Sequence, residues 1–190
     1  FKEYPMEIAE VASMSMELFT MNHWQSFFDN DSDLNRAKEH QLERTITIFP
    51  WIAIIDKFQH WVYENPNHTI EERTSNWTSI LKEFSTESID YTGLDMYRAI
   101  GWQRQLHLFE VPFYYIEYAI AQLGAIAIYR NYLADPEKTL EQYLAALKLG
   151  YTKSMKEIYE TAGIRFDFSA AYIKELMDFL KIEIEKVSAE

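Results

Sequence analysis

The sequence contains no cysteine, and glycine and proline occur only five times each among its 190 residues. Without cysteine the chain forms neither a disulfide nor a thiolate metal site, so a catalytic metal would need His and carboxylate ligands. A reducing, cytoplasmic location fits this composition. Because glycine and proline are few, long stretches carry apolar residues at three-and-four spacing, which is typical of helices. We therefore predict an all-α fold.

The chain also lacks a basic surface and a long apolar run. Lys and Arg number 18 against 30 Asp and Glu, and the resulting net charge of -12 disfavours nucleic acid as a partner. The most apolar stretch, residues 116–133, is interrupted by Glu117, Gln122 and Arg130, so we expect no membrane partner. The chain starts at Phe1, without an initiating Met or the pattern of a signal peptide. We interpret it as a piece of a longer protein.

Turn and capping residues divide the chain into helices. Pro5 suits the first position of a helix, and Pro50 should kink or break the second helix near Phe49. Thr69 and Ser154 each begin a capping box, with a Glu three residues later. Between residues 85 and 112 the pattern is less regular, and we expect a functional loop there. The predicted helices span about 5–28, 34–63, 69–84, 94–101, 113–133, 135–149, 154–163 and 169–187.

The first predicted helix carries carboxylates at regular spacing. Glu3, Glu10 and Glu17 recur every seven residues, so Glu10 and Glu17 share a helix face with Ser13 between them. On spacing alone, such a stripe is more often the solvated edge of an amphipathic helix than a site. The spacing therefore leaves both interpretations open.

Residues 4–18 read YPMEIAEVASMSMEL, which is similar to the helix that supplies the third zinc ligand in the oligoendopeptidase F branch of the thimet-oligopeptidase family. The resemblance implies that Glu10 is this ligand. Ser13 and Glu17 lie where either could orient a zinc-binding His, and for both a solvated helix surface is the simpler interpretation. In that family a His-Glu-x-x-His helix supplies two His ligands and the general-base Glu. None of the five His residues here begins such a motif, so the chain cannot build the zinc site alone.

Residues 102–123 read WQRQLHLFEVPFYYIEYAIAQL, which resembles the family's His loop and the Pro-Phe-Tyr-Tyr helix after it. We expect His107 on the loop and Tyr114, Tyr115 and Tyr118 on the first turns of the helix, where Tyr115 and Tyr118 share a face. By resemblance, His107 and Tyr118 donate hydrogen bonds to the scissile carbonyl oxygen, and Tyr114 and Tyr115 bind substrate. Without the resemblance, a buried Tyr-rich helix with one hydrogen-bonded His is the simpler interpretation.

The resemblance implies that the intact protein is a zinc metallopeptidase that hydrolyses short oligopeptides. Residues 1–190 would be a single helical, bundle-like unit, the C-terminal part of a zincin-type oligopeptidase, inactive without the upstream part that carries the His ligands. A di-iron bundle is excluded because no Glu lies three residues before any His. The alternative is a non-catalytic helical scaffold whose Trp and Tyr residues form a core or bind a partner helix, without metal dependence.

Overall fold

The computed structural model describes residues 6–86 and 89–189, and this part of the chain is helical and has no β-strand. The all-α prediction is confirmed. Within these two ranges, no helix combines the length and the apolar character that a membrane span requires. The α-helices are α1 (Met6–Thr20), α2 (Asp31–Glu64), α3 (Ile70–Phe84), α4 (Asp95–Ala99), α5 (His107–Glu110), α6 (Ile116–Ala134), α7 (Pro136–Leu149), α8 (Met155–Thr161) and α9 (Ala170–Ala189).

Side-chain caps begin several helices, and those at Thr69 and Ser154 lie at the predicted places. Asn30 Oδ1 accepts a backbone N–H from the first turn of α2 at 2.9 Å. Before α3, the Glu72 N–H donates to the Thr69 hydroxyl at 3.1 Å, and the Thr69 N–H donates to the Glu72 carboxylate at 2.8 Å. Ser154 forms the same reciprocal box before α8. Each cap satisfies N–H groups that have no partner inside the helix, which stabilises it by about 1 kcal/mol.

The first helix is shorter than the predicted span of residues 5–28. Its predicted first residue, Pro5, lies outside the described part of the chain. Helix α1 ends at Thr20, and the chain continues to Ser26 as a 3-10 helix. Such a tighter turn is frequent at the end of an α-helix, because its hydrogen bonds, which span three residues instead of four, satisfy the last carbonyl groups.

Helix α2 runs through Pro50 without interruption. Of the kink or break predicted near Phe49, the break is therefore wrong, and the kink stays a prediction. Proline removes one hydrogen bond and crowds the preceding turn, at a cost of about 3 kcal/mol. Burial of Thr45, Ile52 and Ile55 in the same helix offsets this cost, because packing stabilises a helix more than local propensity does.

The described residues form two compact units. The first joins the chain up to Thr47 with the chain from Glu117 onward, and the second is Ile48–Ile116. That residues 1–190 form a single helical unit stays a prediction.

Helix α6 is the central helix of the first unit. Every residue from 121 to 129 is buried, so this helix has neighbours on all sides. The Tyr129 ring of α6 contacts the Phe179 ring of α9, with the ring centroids 6.1 Å apart. The fully buried residues of this core include Leu18, Leu42, Ile126, Ile128, Ile158 and Leu176.

The second unit has a separate aromatic core. Its buried residues are Ile54, Ile55, Phe58, Trp77 and Ile80. The Trp77 indole N–H donates to a backbone carbonyl at the end of α4 at 2.8 Å, so the ring is buried with its polar atom satisfied. This core supports the irregular segment between α3 and α6.

Candidate functional site

Glu10 lies on α1, at the edge of the buried face of this helix. Ile8, Val11 and Leu18 are at most 3% exposed, and their packing fixes the side of the helix on which Glu10 lies. Glu10 is partly buried. The Ser13 hydroxyl lies 3.0 Å from the Glu10 carbonyl oxygen and 3.3 Å from Glu10 Oε2, and it can donate to either. Ser13 thus holds the carboxylate close to its own helix.

Glu17 is exposed one heptad further along α1. It accepts a hydrogen bond from Gln41 Nε2 of α2 at 3.2 Å. The hydrogen bonds that the Ser13 and Glu17 side chains make here are therefore with Glu10 and Gln41. Their predicted role, orienting a zinc-binding His, stays a prediction.

Gly124 allows α6 to pass close to α1 in the first unit. A Cβ at this position would lie 3.1 Å from Val11 Cγ2 and 3.1 Å from the Tyr159 hydroxyl, closer than ordinary van der Waals contact. Val11 directly follows Glu10, and Tyr118 lies in the first turn of α6. The close approach thus fixes the helix of Glu10 against the helix of Tyr118.

A buried phenol also anchors α1. The Tyr143 hydroxyl of α7 donates to the Ala12 carbonyl at 3.0 Å, and its ring meets Phe19 edge-on with the ring centroids 5.5 Å apart. Burial raises the pKa of Tyr143, so the phenol keeps the proton that it donates at neutral pH. The backbone of α1 next to Glu10 is therefore held from a third helix.

In the second unit, His107 packs against both tyrosines that precede α6. Its ring stacks on Tyr114, with the ring centroids 6.0 Å apart and 20° between the planes. The Tyr115 ring lies 4.9 Å away at a tilted angle, and Tyr115 itself packs on the aromatic core of this unit. The structure thus brings together three predicted site residues, His107, Tyr114 and Tyr115, and fixes the plane of the imidazole.

These tyrosines are not on the helix. Helix α6 begins only after Tyr115, so the prediction that Tyr114 and Tyr115 lie on its first turns is wrong, and so is a helix face shared by Tyr115 and Tyr118. The reason is Phe113, whose φ of 62° lies in the left-handed region, where a right-handed helix cannot continue. His107, expected on a loop, begins the four-residue helix α5.

The sequence interpretation missed two residues beside His107. Gln105 Nε2 lies 2.7 Å from His107 Nδ1, and Gln105 Oε1 accepts the Trp51 indole N–H at 3.0 Å. Gln105 falls within the segment that carries the family resemblance, but no motif assigns it a role. Trp51 lies 54 residues from Gln105 in sequence, and no local pattern connects the two.

The described residues do not by themselves form a complete zinc site. A carboxylate oxygen such as that of Glu10 is a common zinc donor. Across 6–86 and 89–189, however, no three His, Asp or Glu side chains are grouped so that they could hold a metal ion. The chain therefore fits zinc as the source of one ligand.

The model of peptidase family M3 matches residues 2–178. The chain belongs to peptidase family M3. An oligoendopeptidase F homolog of Borreliella burgdorferi is 22% identical to this M3 chain over 97% of the chain and 31% of the homolog. Two solved structures are also similar. PZ peptidase A, solved with an inhibitor, has a TM-score of 0.88 and 29% identity over 97% of this chain and 32% of its own. A structure assigned as an oligoendopeptidase F has a TM-score of 0.84 and 30% identity over 97% and 33%.

Membership of M3 confirms the resemblance that the segments at residues 4–18 and 102–123 indicated. The M3 chain spans about a third of the length of these relatives, between 31% and 33%. The roles of the individual site residues stay predictions.

Proposed function

We propose that this chain is the C-terminal part of a zinc-dependent metalloendopeptidase that hydrolyses short oligopeptides in the cytoplasm. The observation that carries the proposal is the packing of His107 with Tyr114 and Tyr115, in a chain that belongs to peptidase family M3. The similarity to oligoendopeptidase F supports peptide hydrolysis, and the net charge of -12 argues against nucleic acid as a partner.

Glu10 is the residue of this chain that would hold zinc. It is a partly buried carboxylate, Ser13 contacts it, and packing at Gly124 and Tyr143 fixes its helix. The His ligands and the general base would come from a His-Glu-x-x-His helix upstream in the same protein. When bound, zinc supplies a water nucleophile with a lowered pKa. The 190 residues alone would be inactive.

His107 and Tyr118 would act on the substrate carbonyl. An imidazole N–H and a phenol O–H can each donate a hydrogen bond to the oxygen as it gains negative charge, and one such donor contributes about 100- to 1,000-fold in rate. Tyr114 and Tyr115, whose rings contact His107, would bind the peptide beside it. Ser13 and Glu17 would orient a His ligand.

The test compares the full-length protein with a Glu10→Gln variant and a matched Glu43→Gln control. Glu43 is an exposed carboxylate on α2 in the same unit. Zinc content is measured by mass spectrometry of the metal, and activity by cleavage of an internally quenched peptide. We expect Glu10→Gln to lose zinc and at least about 100-fold in kcat/KM, and the control to keep both.

Full zinc content and activity in the Glu10→Gln protein would refute the role of Glu10. A full-length wild-type protein that binds no zinc and cleaves no peptide would refute the peptidase and favour the helical scaffold. The same assays on the 190-residue chain should show neither zinc nor cleavage.

A further inference from the structure

Gln105 connects Trp51 to His107 through both ends of its side-chain amide. Trp51 Nε1 lies 3.0 Å from Gln105 Oε1, and Gln105 Nε2 lies 2.7 Å from His107 Nδ1. All three side chains are partly buried in the second unit, where water competes less for these hydrogen bonds.

The donor and acceptor inventory fixes every proton in this chain of hydrogen bonds. An indole N–H can only donate, so the group of Gln105 that faces Trp51 must be the amide oxygen. The amide nitrogen then faces His107, and it too can only donate. His107 Nδ1 must therefore accept, which leaves it without a proton. The ring proton of the neutral imidazole is then on Nε2.

Trp51 is itself held in place from two sides. Its ring meets the buried Trp77 ring edge-on at 6.1 Å between centroids, and the Arg104 guanidinium lies 4.6 Å from its centroid. The indole N–H thus points at Gln105 from a rigid ring, and the amide is held in one orientation.

We propose that Gln105, oriented by Trp51, is a positioning residue that selects the tautomer of the neutral His107 ring, with the proton on Nε2. The inference rests on the proposed function, in which His107 donates a hydrogen bond to the substrate carbonyl oxygen. A neutral imidazole with its proton on Nε2 can donate from that nitrogen. Stacking on Tyr114 fixes the ring plane, and the Gln105 hydrogen bond fixes which nitrogen donates.

The experiment measures the ring-nitrogen chemical shifts of the 190-residue chain, labelled with ¹⁵N in its histidines, at a pH of about 8, above the ordinary His pKa of about 6.5. A His107→Gln variant assigns the signal. His68 is an internal control, because its Nδ1 lies 2.5 Å from the Asn65 carbonyl oxygen, which can only accept. We expect the proton on Nε2 in His107 and on Nδ1 in His68.

Gln105→Glu replaces the donor that faces His107 Nδ1 with an acceptor, with almost no change of shape. A carboxylate oxygen can still accept from Trp51, but the other oxygen now faces His107 Nδ1 as an acceptor. We expect Nδ1 of His107 to become protonated and the neutral form with its proton on Nε2 to decrease. Gln103→Glu, at an exposed position two residues away, adds the same charge and should leave His107 unchanged.

Trp51→Phe provides a second, independent variant. It keeps an aromatic ring but removes the donor that orients the amide, so both neutral forms of His107 should be populated. His107 with its proton on Nδ1, or doubly protonated, in the wild-type chain would overturn the proposal without any variant. An unchanged His107 signal in Gln105→Glu would also overturn it.

The same variants separate this inference from the peptidase proposal. In the full-length enzyme, Gln105→Glu should lower kcat by about 10- to 100-fold with little change in KM. A switched tautomer beside an unchanged kcat would overturn the positioning role. If the full-length protein cleaves no peptide, the peptidase proposal fails, whereas the measured tautomer still decides whether Gln105 sets the proton of His107.

Discussion

Replacing Gly124 with alanine tests how α1 is positioned. The added Cβ would lie 3.1 Å from Val11 Cγ2, 3.1 Å from the Tyr159 hydroxyl and 3.3 Å from Tyr159 Cε1. Val11 and Tyr159 are each 1% exposed, and the Tyr159 hydroxyl donates to a carbonyl of α6 at 3.4 Å. Neither neighbour has open space to move into, so α1 or α8 must shift by a few tenths of an ångström.

Two effects oppose each other at this position. Alanine is favoured over glycine inside a helix by about 1 kcal/mol. Overpacking of a filled core costs about 1–3 kcal/mol. Because both contacted side chains are fully packed, we expect overpacking to win, with a net loss of about 1 kcal/mol. For a chain of this size, that loss lowers the Tm by about 2–4 °C.

Urea and thermal unfolding of the 190-residue chain measure this loss, and a double-mutant cycle with Val11→Ala assigns it to the contact. Shortening Val11 removes one of the two close neighbours. The loss of unfolding free energy in the double variant should therefore be at least about 0.5 kcal/mol smaller than the sum of the two single losses. A Gly124→Ala chain as stable as the wild type would refute the reasoning, because it would mean that Val11 and Tyr159 yield without cost.

Two further predictions concern local structure in the first unit. Gly163→Ala and Gly150→Ala should each destabilise the chain. Both glycines have positive φ, 76° and 51°, where a residue with a Cβ is strained, and an unchanged Tm in either variant would contradict this. The second prediction concerns pH. The Ser154 backbone N–H, helped by its hydroxyl, lowers the pKa of Glu157 from 4.5 to about 2. A lowered pKa stabilises the fold above pH 4.5, and this contribution is lost as the pH falls towards 2. The difference in Tm between wild type and Glu157→Gln should therefore shrink over that range, and a constant difference would refute the assignment.

Features set by near neighbours in sequence were predicted well. The capping boxes at Thr69 and Ser154 depend on a hydroxyl residue and a Glu three positions later, so four residues contain the whole signal. The all-α fold follows from apolar spacing repeated along the chain. The family was predicted from the resemblance of residues 4–18 and 102–123 to two of its segments. Each segment is continuous in sequence, so no long-range contact was needed.

Features set by distant contacts were not predicted. The hydrogen bond between Trp51 and Gln105 joins residues that no periodicity relates. The approach of α1 and α6 at Gly124 depends on Val11, which the sequence marks only as apolar. Helix α2 continues through Pro50 because burial along its length outweighs a local penalty, and local rules do not count burial.

The backbone conformation of one residue, Phe113, determines where α6 begins. Phe113 adopts a left-handed backbone, which costs a residue with a side chain about 1–2 kcal/mol. Its ring contacts those of His60 and Tyr63, each with ring centroids 5.0 Å apart. Aromatic contacts of this kind contribute about 0.5–1.5 kcal/mol each, so the two together offset the strain.

The turn at Phe113 has a consequence for the proposed donors. It keeps Tyr114 and Tyr115 in the segment before α6, and both contact His107 from there. Tyr118, in contrast, lies on the helix itself. His107 is therefore positioned by a side-chain network of the second unit, and Tyr118 by the packing of α6 in the first. Gln105→Glu should therefore alter the His107 tautomer through the side chains of the second unit, and Gly124→Ala should disturb the helices of Glu10 and Tyr118 through the packing of the first.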